Sequence, residues 1–168
     1  MSRPYRTIAE RLTGLNGAAL LILRVIAGWL FILHALFKFQ MGLAAFEAGV
    51  LKPAQLPMTS LLSWSVPTLE LVAGVLLIVG LLTRAAAAVL AVEMLFTGFV
   101  VKLSAFDSGV LGPKGSGGAE IDFLFFAAFL VIVISGPGWA ALDAVFRLER
   151  KSVVGSRSDG PALEITPS

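Results

Sequence analysis

Ala18–Phe39 reads AALLILRVIAGWLFILHALFKF, 22 residues of nearly unbroken hydrocarbon that nevertheless carry Arg24, His34 and Lys38. At ~1.5 Å per residue the run is long enough to cross a bilayer core of ~30 Å. Charge at that depth is costly. A central arginine carries about 2.5–3.5 kcal/mol even on lenient insertion scales, so such side chains turn inward and find partners. On a helix advancing ~100° per residue the three fall within an arc of about 80°. One face therefore looks into a bundle, and the other segments must supply what meets it.

The whole chain agrees with this reading. Its 168 residues are 57% hydrophobic and only 14% charged, with a mean hydropathy of +0.90, whereas soluble domains are about a quarter charged. It is an integral membrane protein in contact with the lipid bilayer. The isoelectric point near 9.3 does not mark a nucleic-acid binder. The net charge is only +2, and the basic residues flank the hydrophobic runs, where they anchor a cytoplasmic face. With no cysteine and one histidine, disulfides, iron–sulfur centres, CxxC redox chemistry and a bis-histidine haem within one chain are excluded. No intrinsic cofactor is expected, and His34 lacks a second ligand at helical spacing, so no metal is either. Any electrons must arrive on a diffusible or partner-held group.

Residues 1–17 form a basic segment with Arg3, Arg6 and Arg11. The run that follows exceeds the 7–15 apolar residues of a signal peptide and lacks a small-x-small cleavage site, so it reads as a retained anchor. After Phe39 the glycines and prolines of residues 40–62 break any long helix, predicting a cap on the bundle mouth. A second span is predicted over 64–82, opened by Ser65 and Pro67, and a third over 85–103, joined to the second by a tight turn at Thr83-Arg84. The loop SAFDSGVLGPKGSGG has no GK[ST] and no strand before it, which argues against phosphate binding. A fourth span runs over 120–135, stopped by Gly136-Pro137-Gly138. The expected fold is thus an all-α four-helix transmembrane bundle over 18–146, with a polar, disordered tail over 147–168. The excess of Lys and Arg on the side of the termini makes it N-in/C-in.

Sorted by height, the intramembrane charges fall into two levels. Arg24 and Glu93 both stand ~9–12 Å from the cytoplasmic edge and are expected to form a structural ion pair. His34, Lys38, Glu70, Lys102, Glu120 and Asp122 form an outer polar layer. There His34 is the group that titrates near neutral pH, and Glu70 is its expected carboxylate partner. Such a layer can bind a quinone head group, with hydrogen bonds from His34 and Lys38 to its carbonyl oxygens, proton relay through Glu70, and an apolar lining from Trp29, Phe31, Phe37, Trp64 and Phe96. The same charges can equally be register devices that only hold helices together, and aromatic residues so placed are commonly packing or interfacial belts.

Three pieces of the sequence resemble the DoxX family of small bacterial membrane proteins. They are Leu23-Arg24 with Gly28 and Phe31-Ile32-Leu33-His34 leading to Lys38; Glu70-Leu71-Val72-Ala73-Gly74 leading to Gly80-Leu81-Leu82-Thr83-Arg84; and Gly136-Pro137-Gly138 with Leu142-Asp143. The resemblance covers about residues 20–146 and departs at Gly117–Phe123, where Asp122 is unusual. It implies a four-helix membrane fold with Arg24, His34, Lys38 and Glu70 as motif positions. It also implies association with quinone-linked oxidases or redox-stress complexes, although distant relatives serve as cargo receptors or assembly factors, and fold alone does not decide function. The expectation is a membrane subunit of a quinone-linked or redox-stress oxidoreductase complex in the bacterial inner membrane, needing a partner subunit for electrons. The alternative is a non-enzymatic scaffold or assembly factor. A solute carrier is disfavoured, because no inverted repeat is evident. Oligomeric state, quinone type and electron donor are not encoded in any motif.

Overall fold

The computed structural model describes residues 15–112 and 117–145. The predicted basic segment and tail therefore lie almost wholly outside the described residues. Among those described, all regular structure is helical: α1 (Asn16–Met41), α2 (Leu43–Phe46), a π-helical turn (Glu47–Leu51), α3 (Thr59–Val79), α4 (Thr83–Phe96), which continues as a π-helix over Thr97–Ala105, α5 (Glu120–Ser135) and α6 (Leu142–Val145). Three helices, Asn16–Met41, Thr59–Val79 and Thr83–Ala105, are long and apolar enough to cross a membrane. The predicted fourth span coincides with α5, whose 16 residues are fewer than the ~20 a spanning helix commonly uses.

The helices associate as two close pairs, α1 with α3 and α4 with α5, joined along α3–α4. Small residues set the first pair. A Cβ on Gly28 would stand 2.6 Å from the Gly74 carbonyl oxygen, and one on Gly74 would stand 2.7 Å from that of Gly28. The two backbones touch, which is the packing available to helices whose lipid surroundings offer no hydrophobic drive. Around this crossing lie Ala27, Phe31, Ala73 and Leu77, which join Leu90, Met94, Phe129 and Ile132 from the second pair in one core.

Two boundaries differ from expectation for identifiable reasons. α3 begins at Thr59, and Pro67 lies buried inside it rather than at its first turn. An internal proline forfeits one helical hydrogen bond, here the one to the Ser63 carbonyl, which membrane helices tolerate; separately, the Ser63 hydroxyl donates to the Ser60 carbonyl at 2.8 Å. The turn between α3 and α4 falls at Gly80–Leu82, one residue before the predicted Thr83-Arg84. Gly80 (φ 75°) and Leu82 (φ 48°) both take the left-handed region, and the Gly80 and Leu81 N–H groups donate back to the Leu76 carbonyl.

Candidate functional site

At the Asn16 end of α1 the three sequence pieces meet. Arg24 is completely buried and donates through Nη2 to the Trp139 and Ala140 carbonyls at 2.9 and 2.7 Å. The Gly136-Pro137-Gly138 stop turns the chain back across α1, and the Trp139 N–H donates to the Gly17 carbonyl. Asp143, also buried, lies within electrostatic reach of Arg24. Its carboxylate accepts from the Leu82 N–H at 2.7 Å and the Thr83 N–H at 2.9 Å, while its own N–H donates to the Gly80 carbonyl. Asp143 thereby caps α4 from a distant part of the chain, satisfying donors every helix start leaves open. Gly80 is needed here, since a Cβ would collide with the Arg24 guanidinium.

Nearer the middle of the helices a second group assembles from α1, α3 and α4. Lys38 Nζ stands 2.6 Å from Glu70 Oε1, with Glu70 only 1% exposed. The Glu93 carboxyl lies at hydrogen-bonding range of the Glu70 carboxyl and within electrostatic reach of Lys38. The Phe46 ring sits 5.3 Å from Lys38 Nζ, so α2 closes the group from the Met41 end and offers its π face to the ammonium. A parallel pair lies alongside. Lys102 Nζ, on the π-helical end of α4, is 2.8 Å from Asp122 Oδ2 and donates to the Gly118 carbonyl. π-helical turns recur at functional sites, and this one carries Lys102.

His34 is placed differently from the other predicted residues. It is exposed on the outside of the helical body, stacked on Phe31 at 5.8 Å and facing the edge of Phe125 at 6.5 Å. α1 meets α5 near its level through the Phe31 ring, which lies 5.3 Å from Phe125 and 5.0 Å from Phe129. Glu70, Lys38, Asp122 and Lys102 are the charges within its electrostatic reach, yet the carboxylate of Glu70 is occupied by Lys38 and Glu93. Of the predicted aromatic lining, Phe31 is buried, whereas Trp29, Phe37, Trp64 and Phe96 turn outward, as an interfacial or lipid-facing belt does.

The expected Arg24–Glu93 pair is therefore corrected. The arginine side chain leans back toward the start of its helix and reaches the level of Gly80, while Glu93 stands ~15 Å along α4 from Thr83. Counting residues from each helix start placed them together; side-chain direction separates them. Lys38 and Glu70 are brought together as predicted site residues, and Glu93 joins them unforeseen. Asp143 was missed as a partner of Arg24, although its place in the Leu142-Asp143 piece of the resemblance was a signal. An apolar groove of about 600 Å³ lies elsewhere, between α3 and α4, lined by residues such as Trp64, Leu69, Val72 and Val89. It holds none of the charged group, and its Thr68 hydroxyl already donates to the Trp64 carbonyl, so it has little with which to orient a polar ligand.

The family model described as DoxX matches residues 19–103, a stretch that holds Arg24, His34, Lys38, Glu70 and Glu93 together. An uncharacterised protein of Haemophilus influenzae is 33% identical over 130 residues, 76% of this chain and 90% of that protein. A Bacillus subtilis protein named "Putative oxidoreductase CatD" is 30% identical over 123 residues, 73% of this chain and 83% of its own length. No solved structure matches the chain significantly.

Proposed function

The chain belongs to the DoxX family, and from that premise we propose that it is a membrane subunit of a quinone-linked or redox-stress oxidoreductase complex. In this reading α5 completes a four-helix, N-in/C-in bundle in the bacterial inner membrane, flanked by a cytoplasmic segment over 1–17 and a polar tail over 147–168. The observation that carries it is the exposed His34 ring, stacked on Phe31 and within electrostatic reach of the Lys38–Glu70 pair. The name of the B. subtilis relative points the same way.

A quinone head group lying against this exposed ring would meet part of what it needs. His34 can donate one hydrogen bond to a carbonyl oxygen, and Phe31 and Phe125 offer ring faces and edges. Lys38 already holds Glu70, so it orients the carboxylate rather than the ligand. A bound quinone would supply the electron-carrying chemistry that a chain without cysteine cannot. His34 would exchange the proton, and the carboxyl behind it would restore the ring. The partner subunit supplies electrons, and its identity is open.

A second reading follows from the Arg24 and Asp143 arrangement, whose charges are answered inside the chain. In it the protein is a non-enzymatic scaffold or assembly factor. Titration of a short-chain quinone into the full chain in lipid nanodiscs, read by tryptophan quenching, separates the two. The redox reading requires saturable binding that His34→Ala weakens at least tenfold. Absence of saturable binding, or binding indifferent to His34, leaves the scaffold.

A further inference from the structure

Lys38, Glu70 and Glu93 are contributed by three helices and meet inside the helical body. Two carboxyl groups stand against one ammonium. If both were ionised, the group would carry a net negative charge in hydrocarbon, where a lone charge is expensive. With one proton added it is neutral. The geometry makes the same demand independently. The Glu70 and Glu93 carboxyls lie at hydrogen-bonding range, and ionised carboxylates only accept, so a hydrogen bond between them contains a proton. Glu70 Oε2 and Glu93 Oε2 are buried, and no N–H or O–H donor among the described residues reaches either. Each keeps an open acceptor position beside the other carboxyl.

The remaining charges nearby do not alter the count. Lys102 and Asp122, from α4 and α5, neutralise one another. His34, on the same helix as Lys38, faces Phe31 and Phe125, and Arg24 is engaged at the far end of α1.

We propose that Glu70 and Glu93 form a proton-binding site within the membrane that holds one exchangeable proton between two carboxyl oxygens, with Lys38 as its fixed counter-charge. Release of the proton leaves two carboxylates facing one ammonium; rebinding restores neutrality. The pair is a proton store one side chain removed from the exposed His34. It stands on the charge count of this group, and no quinone is needed for it.

Infrared spectroscopy of the full chain in lipid nanodiscs tests it, through the carbonyl stretch of a protonated carboxyl at neutral pH and its shift in heavy water. One such band is expected in the parent. Glu93→Gln should abolish it, as should Glu70→Gln, whereas Asp122→Asn and His34→Ala should leave it. Lys38→Met should raise its intensity about twofold, because the pair must then hold a second proton to stay neutral. This variant keeps both carboxyls and serves where a glutamine variant fails to fold. The proposal is overturned if the parent shows no such band, if the band survives both glutamine substitutions, or if Lys38→Met leaves it unchanged. Because no quinone is present, failure here and failure of His34-dependent quinone binding are separate results.

Discussion

Arg24, fully buried, and Lys38, partly buried, are two cations on one helix, and the chain answers them in different ways. Arg24 donates to main-chain carbonyls of Trp139 and Ala140, acceptors that cannot titrate and that are fixed by the fold. Lys38 faces the side chains of Glu70 and Glu93, acceptors that can gain and lose protons. The first arrangement ties chain ends and turns into one geometry. The second answers a less deeply buried charge and keeps a chemical degree of freedom. Burial of charge by itself therefore says little about function; what answers the charge says more.

The largest effect should come from Arg24→Met. It leaves Asp143 and two carbonyls without their cation, and removing one partner of a buried charged group costs about 3–5 kcal/mol. Thermal unfolding in detergent should show this as a large drop in Tm or as failure to accumulate; a loss within ~1 kcal/mol would mean the tie is dispensable. Next comes the crossing that separates the two sites. Gly74→Ala places a methyl 2.7 Å from the Gly28 carbonyl oxygen, and overpacking of this kind costs about 1–3 kcal/mol. If Gly74→Ala unfolds like the parent, the backbones are not in contact. Lys38→Met should cost less than Arg24→Met, because a carboxyl that loses its ammonium can take a proton instead. The loss should be small in mildly acidic buffer and grow in alkaline buffer, and a pH-independent loss would erase the distinction between the two cations.

The smallest effect lies outside the spans, at Glu47 in the π-helical turn before α3. The Thr59 hydroxyl donates to its carboxylate at 2.8 Å, Ser60 at 3.1 Å, and Lys52 stands at 3.4 Å. The Thr59 hydrogen bond is the main cause holding this carboxyl below its ordinary value. A lowered folded pKa contributes stability that is fully present above the unfolded value and is lost as pH falls through the folded one. Acid titration of stability should therefore show a shallow limb that Thr59→Val flattens. An unchanged limb would assign the acid sensitivity to other carboxyls.

Much of this arrangement is legible in the sequence. The spacing of Arg24, His34 and Lys38 announces a helix with one inward face, and the heights of Lys38, Glu70, Lys102 and Asp122 place them in one layer, where Lys38 finds Glu70 and Lys102 finds Asp122. α5 coincides with the predicted 120–135 run because hydrophobicity and the following Gly-Pro-Gly bound it on both sides. What is not legible depends on directions and distant contacts. The height of a Cα does not give the height of a guanidinium, which is why Arg24 was matched to Glu93. His34 shares a face with Lys38 only approximately, and a modest difference in angle is enough to put one outside and the other inside. The capping of α4 by Asp143 joins residues far apart in the chain, and no local periodicity records it. Nor does composition reveal the π-helical turn that carries Lys102.

The reciprocal contact of Gly28 and Gly74 also has a mechanical consequence. Because the two backbones touch there, α1 and α3 can be treated as two arms with that crossing as fulcrum. Lys38 lies ~15 Å along its arm and Glu70 only ~6 Å along the other. A rotation of about 10° at the fulcrum would move the Lys38 Cα by roughly 2–3 Å and the Glu70 Cα by about 1 Å. That is enough to open a contact now at 2.6 Å without disturbing the glycines themselves. The backbone arms are unequal, so a tilt about the crossing moves the stem of Lys38 farther than the stem of Glu70.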